Sequence, residues 1–359
     1  MTVDTMSAAP KTVAAKRRSG GGFGRYVLWR ALLIIPTVFI LVTMVFILMR
    51  TIGDPITASI GGKLPPDEIA KRIAEAGYDR PILLQYFEYI GQIFTGNFGT
   101  TISDHRPVTE VLLTFGSATL ELAFYTLIVA FVVGIPLGML AAYYRDRGPD
   151  AVLRIFAIFT YATPVFFSGL LMKLIFGVWL GWLPTTGRAS IATELKIQLM
   201  PNPSGFYLVD AIRLGSLEAV GDVLMHAILP ALTLGLMTAG VFLRLVRTNM
   251  IGTLGQEYVD SGRSRGVSEY RLVTKHAYRP ALIPIITVIG MQIALLLAGA
   301  VLTETTFEWK GLGFQLAHYL SARDFIAVQG IVALLAVIVA LSNFVVDILA
   351  ALIDPRVRY

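Results

Sequence analysis

Three ionisable side chains, Glu121, Lys173 and Asp347, fall inside long apolar runs of this 359-residue chain. A charge in such a place is either half of a structural pair across helices or a group that handles protons or solute. The four histidines, His105, His226, His276 and His318, are far apart, form no His-x-x-x-His pair, and the chain has no cysteine. Zinc motifs, thiolate chemistry and disulfides therefore have no residues to build on, and no metal site is expected. Gly61-Gly62-Lys63-Leu64 lacks the spacing and the hydroxyl of a phosphate-binding loop. With no cluster of acid, base and nucleophile apparent, catalytic residues are not expected and the chain does not read as an enzyme.

The elements that must position these groups are membrane helices. Hydrophobic residues make up 55% of the chain, charged residues only 15%, and mean hydropathy is +0.69. Soluble domains carry roughly a quarter charged residues, so an ordinary soluble enzyme is excluded, as is a chain disordered throughout. The net charge of +6 then concerns the sides of a bilayer rather than nucleic acid, which is not an expected partner. Six stretches have the roughly 20 apolar residues that a spanning helix needs, near Leu28–Met49, Ala118–Tyr143, Val152–Val178, Val223–Leu243, Ala281–Leu302 and Phe325–Ile353. An even number puts both termini on one side. The segments on that side carry most of the Lys and Arg despite being shorter, which predicts that both ends are cytoplasmic.

Residues 1–27 read as a disordered cytoplasmic tail, with Gly20-Gly21-Gly22 near its end. Leu28–Met49 is too long for a signal-peptide core and lacks a small-residue cleavage site, so it reads as a retained anchor. Residues 28–115 would form the first spanning helix and a small external cap, with a helical piece Asp67–Ala76 after Pro65-Pro66 and a turn cluster at Thr95–Gly99. Residues 116–359 would form the main transmembrane domain. Prolines Pro136, Pro164, Pro230 and Pro284 should kink helices, and glycines such as Gly134, Gly138, Gly235 and Gly240 should let helices approach closely. Arg244 and Arg247 read as membrane-end anchors.

The most polar of the cytoplasmic segments, within 250–280, has the form of a helix–turn–helix. Thr253 with Gln256 resembles a capping box that would start a helix, Gly266 would end it, Ser268 could cap a second helix, and Pro280 would interrupt that one at the membrane. Tyr258, Gly262 and Gly266 share one helical face, and Tyr270, Val273 and Ala277 share another. Small residues beside exposed apolar ones suit docking into a groove of another protein.

Asp260-Ser261-Gly262-x-x-x-Gly266 resembles the signature of the cytoplasmic "EAA" loop in permease subunits of binding-protein-dependent ABC importers. Glu257-Tyr-Val, Arg265-Gly266-Val-Ser-Glu, His276-Ala and Ala281-Leu-Ile-Pro284 are similar to the dipeptide/oligopeptide/nickel branch. Matching landmarks extend along nearly the whole chain: Arg30-Ala-Leu with Pro36, Gly53-Asp54-Pro55, Ala118-Thr-Leu-Glu121-Leu, Gly134-Ile-Pro136-Leu-Gly138, Gly181-Trp-Leu-Pro184, and Glu304-Thr-x-Phe307-x-Trp309-x-Gly311-Leu-Gly313. Two positions depart. Ser261-Gly262 stands where the family favours an alanine-containing pair, which adds a glycine costing a helix about 1 kcal/mol relative to alanine. Lys310 stands where proline is usual, leaving that turn less fixed in φ.

The resemblance implies an all-α integral membrane protein with six transmembrane helices, the type I ABC importer permease fold, and an external cap region after the first helix. It implies a permease that translocates di- or oligopeptides across the inner membrane; nickel chelates, glutathione or another small solute are the alternative cargo, and a proton-coupled secondary transporter relaying through Glu121 and Asp347 is the alternative class. Implied partners are a second homologous permease, two ABC ATPase subunits, an external substrate-binding protein and membrane lipid. No cofactor is expected on this chain; ATP and Mg would be held by the ATPase subunits. Glu257, Asp260, Ser261, Gly262, Arg265, Gly266 and Ser268 would form the ATPase-coupling loop, and Glu121, Glu304, Phe307 and Trp309 a pathway or gate.

Overall fold

In lipid a spanning segment has to satisfy its own backbone bonds, and a helix does so locally. The computed structural model describes residues 23–60 and 64–353, and these are helical apart from turns and one isolated bridge between Thr100 and Pro107. The remaining residues, which include most of the expected tail, Gly61-Gly62-Lys63 and the final basic residues, lie outside the described ones.

In chain order the helices are α1 (Phe23–Ile52), α2 (Pro55–Ile60), α3 (Pro66–Glu75), α4 (Ile82–Phe94), α5 (Val108–Tyr143), α6 (Gly148–Ala162), α7 (Val165–Met172), α8 (Ile191–Gln198), α9 (Tyr207–Arg213), α10 (Leu217–Leu254), α11 (Glu257–Ser264), α12 (Glu269–Arg271), α13 (Tyr278–Phe307), α14 (Leu312–Ser321) and α15 (Phe325–Ile353). Wide π-turns follow α7 at Lys173–Trp179 and α12 at Leu272–Ala277. Among the described residues α1, α5, α10 and α15 are long and apolar enough to cross a membrane, and α6 with α7 adds a fifth if the bent pair counts as one. The stretch Ala281–Leu302 lies within α13, which is 30 residues long.

The third apolar stretch is not the straight span expected over Val152–Val178. It breaks at Thr163 and turns by 104°, because Pro164 has no N–H to donate and holds Thr163 extended at ψ 129°. Helix α1 begins at Phe23 and takes in the last residues of the expected tail. It is anchored on α15 by Arg30, which lies 3.0 Å from Asp347, so Asp347 is half of an ion pair across helices. Leu33, Phe39 and Ile40 along α1 are exposed, as suits lipid.

Helices α5 and α10 run parallel, with Val129 against Gly235, Gly134 against Ala239 and Gly138 against Val246, and form the most extensive helix pair of the fold. Gly134 permits this, since a Cβ there would sit 2.8 Å from the Ala239 carbonyl oxygen. One half of their interface packs Leu122, Tyr125, Ala231, Leu234 and Trp309, and the other packs Phe242, Val246, Val273 and Ala277. Arg247 is not a free membrane-end anchor. Its guanidinium grips the fully buried Asp150 with both oxygens, at 2.6 and 2.7 Å, tying α10 to the start of α6.

The region after α1 is helical, and the expected piece near Asp67–Ala76 corresponds to α3. Helix α5 begins well before the expected boundary at Phe115. Buried Asp324, just before α15, accepts the Ile102 and Ser103 amides at 2.6 and 2.8 Å and the Ser103 hydroxyl at 2.9 Å. The Tyr319 hydroxyl donates to Asp104 at 3.1 Å. These bonds fasten the segment between α4 and α5 onto the α14–α15 corner.

Candidate functional site

The residues singled out in the sequence gather at opposite ends of the α5–α10 pair. At one end the start of α5, the end of α13 and the segment carrying Arg188 meet in a buried polar knot. Glu121 is 4% exposed and both its oxygens are occupied. Oε2 accepts Arg188 Nη2 at 2.5 Å and the Tyr207 amide at 3.3 Å; Oε1 accepts the Tyr125 hydroxyl at 3.0 Å and the Leu208 amide at 2.8 Å. Arg188 also donates to the Gly205 carbonyl at 2.9 Å and stacks 3.7 Å over the Tyr207 ring and 5.6 Å from that of Trp309. Burial pushes the Tyr207 phenol up to about 12, so the ring meets the guanidinium uncharged.

Glu304 is fully buried beside this pair. Its carboxylate accepts the Thr119 hydroxyl at 2.7 Å and the Phe314 amide at 2.9 Å, and its carbonyl accepts the Trp309 amide at 2.8 Å. Thr119 in turn accepts the Leu312 amide at 2.8 Å, and Trp309 Nε1 donates to the Ala118 carbonyl at 2.9 Å. The Gly-x-Gly spacing has a steric cause: a Cβ on Gly311 would lie 2.5 Å from Glu304 Oε1, and one on Gly313 would lie 2.6 Å from Val301 Cα. These anchors hold the turn that Lys310, in place of proline, leaves free in φ. Phe307, 1% exposed, accepts the Gly187 amide on its carbonyl at 2.9 Å. Lys173 is partnered as well, donating to the Thr306 carbonyl at 2.8 Å.

Glu121, Glu304, Phe307 and Trp309 are thus brought together. None of them lines the cavity of about 550 Å³ alongside, which is bounded instead by Arg188, Glu194, Gln198, Tyr207, Glu308 and Lys310. Arg188 is the residue that sequence reasoning missed. It lies 67 positions from Glu121 in a loop, and a lone loop arginine carries no periodicity or motif to betray it. Asp210 was equally silent; fully buried, it accepts the Ser204 and Gly205 amides at 2.9 and 3.1 Å.

At the other end lies the helix–turn–helix. Thr253 and Gln256 do not start a helix: α10 runs on to Leu254, and both side chains bond back to its carbonyls. Helix α11 starts instead at Glu257 with no side-chain cap. Gly266 ends α11 at φ +78°, and the Val267 amide returns to the Gly262 carbonyl at 3.1 Å, the six-to-one bond of a left-handed helix stop. Ser268 occupies the N-cap position of α12, though its hydroxyl makes no capping bond. Pro280 does not interrupt the second arm. The preceding π-turn absorbs the misfit, and the rod continues from Glu269 to Phe307.

The expected faces separate. Val273 and Ala277 are buried in the membrane-domain core, whereas Tyr258 and Tyr270 are exposed at 46% and 79%. Gly262 faces the second arm, where a Cβ would come 2.9 Å from Leu272 Cδ2, so this glycine lets α11 cross closely over the π-turn. Glu257, Asp260, Ser261, Arg265 and Ser268 are exposed. Arg263, not singled out in the sequence, joins the arms: it lies 2.6 Å from Asp260 and 2.5 Å from Glu269. That guanidinium holds the Glu269 carboxyl below its ordinary 4.5.

The family described as "Binding-protein-dependent transport system inner membrane component" matches residues 134–359, and the N-terminal region described for the same systems matches residues 23–113. The di/tripeptide transport system permease protein DppB of Pseudomonas aeruginosa is 37% identical, over 91% of this chain and 96% of its own. The dipeptide permease DppB of Escherichia coli K12 is 36% identical over 93% and 99%, and the glutathione permease GsiC of Salmonella choleraesuis 35% over 93% and 99%. Among solved structures, the inward-facing MetNI methionine ABC transporter superposes with a TM-score of 0.50 over 68% of this chain and 96% of its own, at 16% identity, a likeness of fold alone. The chain belongs to the binding-protein-dependent transport system inner membrane components, and is a permease subunit of an ABC importer, a transport component and not an enzyme.

Proposed function

We propose that this chain is one half of the translocation pathway of an ATP-driven importer for di- or oligopeptides. The observation that carries the reading is the exposed α11–α12 hairpin continued without a break into α13. A push on α11 from a nucleotide-hydrolysing partner reaches, along one rod, the turn that holds Glu304 and Trp309. In this reading the chain crosses the inner membrane six times with both termini cytoplasmic, α13 supplying the span beyond those counted by length and apolarity. Residues 28–115 form the first span and an external cap, and 116–359 the permease domain with its coupling loop at 250–280; the separate family matches to 23–113 and 134–359 support that division.

A second permease, two ATPase subunits that carry ATP and Mg, and an external binding protein complete the assembly. Glu257, Asp260, Ser261, Arg265 and Gly266 meet the ATPase, while Gly262 and Ser268 shape the hairpin. Glu121, Glu304, Phe307 and Trp309 act as a fixed frame beside the cavity bounded by Arg188 and Tyr207, through which solute enters. The peptide cargo rests on the similarity to permeases named for dipeptides; the similarity to GsiC favours glutathione, a tripeptide, as second cargo. The two carboxylates that a proton relay would use, Glu121 and Asp347, are both held in ion pairs, which weighs against that alternative.

The test is uptake of labelled dipeptide into proteoliposomes holding the whole assembly, with excess glutathione as competitor. Uptake that needs ATP and the binding protein, and that Gly266→Val or Asp260→Asn reduces without loss of membrane insertion, is the expected result. Uptake by this chain alone would overturn it. Because the chain has no native cysteine, single cysteines at Ser264 and Ser103 report the side of the membrane directly.

A further inference from the structure

A second cavity, of about 200 Å³, lies where the region after α1 meets the start of α15, away from the Glu121–Arg188 knot. Four polar atoms on its lining residues are buried without a hydrogen-bond partner: Arg50 Nε at the end of α1, Gln85 Oε1 and the Tyr89 hydroxyl on α4, and Gln329 Nε2 on α15. Gln329 is 7% exposed and Gln85 9%. Each such atom left unmatched costs roughly 1–3 kcal/mol, so four around one cavity are poorly explained by packing. The other such atoms among the described residues, Arg188 Nε and the Thr126 and Thr303 hydroxyls, are not gathered around this cavity.

The four have a definite polarity. Gln85 spends its amide N–H groups on the Tyr78 and Arg80 carbonyls, at 3.0 and 2.7 Å, which leaves its oxygen as the acceptor. Gln329 Nε2 and Arg50 Nε are donors, and burial raises the Tyr89 phenol, keeping it a neutral O–H that donates. Arg50 also supplies a positive charge, its guanidinium 4.4 Å over the Tyr78 ring. The carboxylate in the lining, Glu88, is already engaged by Arg80 at 2.7 Å. Three donors with a cation, and one acceptor, describe the complement of a molecule with an anionic oxygen pair at one end and an N–H at the other. The cavity has room for about six waters at roughly 30 Å³ each, the size of a small organic solute.

We propose that this cavity is a binding site for a small carboxylate solute of amino-acid or dipeptide size, its carboxylate on Arg50, Tyr89 and Gln329 and its N–H on Gln85. The site is built jointly by the cap-side helix α4 and the spanning helices α1 and α15, so a bound solute ties the two together. It is separate from the coupling hairpin and from the entry cavity, and it stands whether or not the chain carries peptides.

The test is calorimetric titration of the full-length chain in lipid nanodiscs with glycylglycine, using glycylglycinamide, which lacks the carboxylate, as control. Saturable binding of glycylglycine, with the amide at least ten-fold weaker, is expected. Tyr89→Phe, which removes only a hydroxyl, and Gln329→Leu should each weaken binding about ten-fold. Melting curves supply a folding check: glycylglycine raises the midpoint of the parent chain but not of either variant. No saturable binding at millimolar glycylglycine would mean that the cavity holds solvent only and would overturn the proposal. Equal binding of the amide, or binding that both variants leave intact, would overturn it as well.

Discussion

The polar knot around Glu121 and the hairpin around Asp260 both consist of acids, an arginine and glycines, yet they are built to opposite ends. In the knot Glu121 and Arg188 are buried, Arg188 reaching only the edge of the adjoining cavity, and both carboxylate oxygens of Glu121 are matched. In the hairpin Arg263 holds Asp260 and Glu269 at the surface, and Glu257, Ser261 and Arg265 face outward. The same ion-pair chemistry thus fixes geometry when buried and leaves a handle when exposed, because water screens the second and not the first.

Changes at the two ends should therefore separate stability from transport. The largest effect is expected for Arg188→Met, which strands the Glu121 carboxylate. A loss of about 3–5 kcal/mol in denaturant unfolding of the detergent-solubilised chain is predicted, and Glu121→Gln added to it should restore part. If the single variant unfolds like the parent, the contrast between the regions is gone. Next comes Trp309→Phe, which keeps most of the ring but leaves the buried Ala118 carbonyl without its indole donor. That should cost about 1–3 kcal/mol, read as a lower melting midpoint.

At the hairpin, Gly266→Val forces a β-branched residue to φ +78°, a strain of about 1–2 kcal/mol. This should abolish most ATP-driven uptake while the melting midpoint of the membrane domain stays within experimental error. A fall in that midpoint comparable to the Arg188 variant would blur the distinction. A smaller, pH-linked effect belongs to the Arg263–Glu269 link. The folded-state value for Glu269 is depressed, so its contribution is present above the ordinary 4.5 and is lost as pH falls through the lowered value. A spin label at Ser264 should become more mobile only in that acid range, and Arg263→Met should make it mobile at neutral pH. The smallest effect is expected for Gly262→Ala: the roughly 1 kcal/mol gain in helix propensity is offset by displacing the Leu272 methyl, and uptake should change less than two-fold.

The difference between the ends also governs how readily each could be read. The hairpin is local. Gly266 as helix stop and the two-arm form follow from residues adjacent in sequence, and there the expectation held, although α11 starts at Glu257 and not at Thr253. The knot is not local. Glu121, Glu304 and Trp309 stood out because acids and tryptophan are conspicuous next to apolar runs, but nothing in their neighbourhood specified Arg188, Thr119 or the Phe314 amide as their partners. The turn at Pro164 fell between: proline announced a break, while its 104° angle depends on what α6 and α7 pack against.

By itself the sequence determined that this is a helical membrane protein with a polar hairpin between long apolar runs, because apolar length, proline and glycine act through the backbone within a few residues. Only the tertiary structure decided that Arg188 completes Glu121, that Arg247 grips Asp150, that Asp324 holds the segment after α4, and that Gln329 and Tyr89 line one cavity. A buried charge or amide demands a partner, but its identity is settled by how helices far apart in the chain are brought side by side.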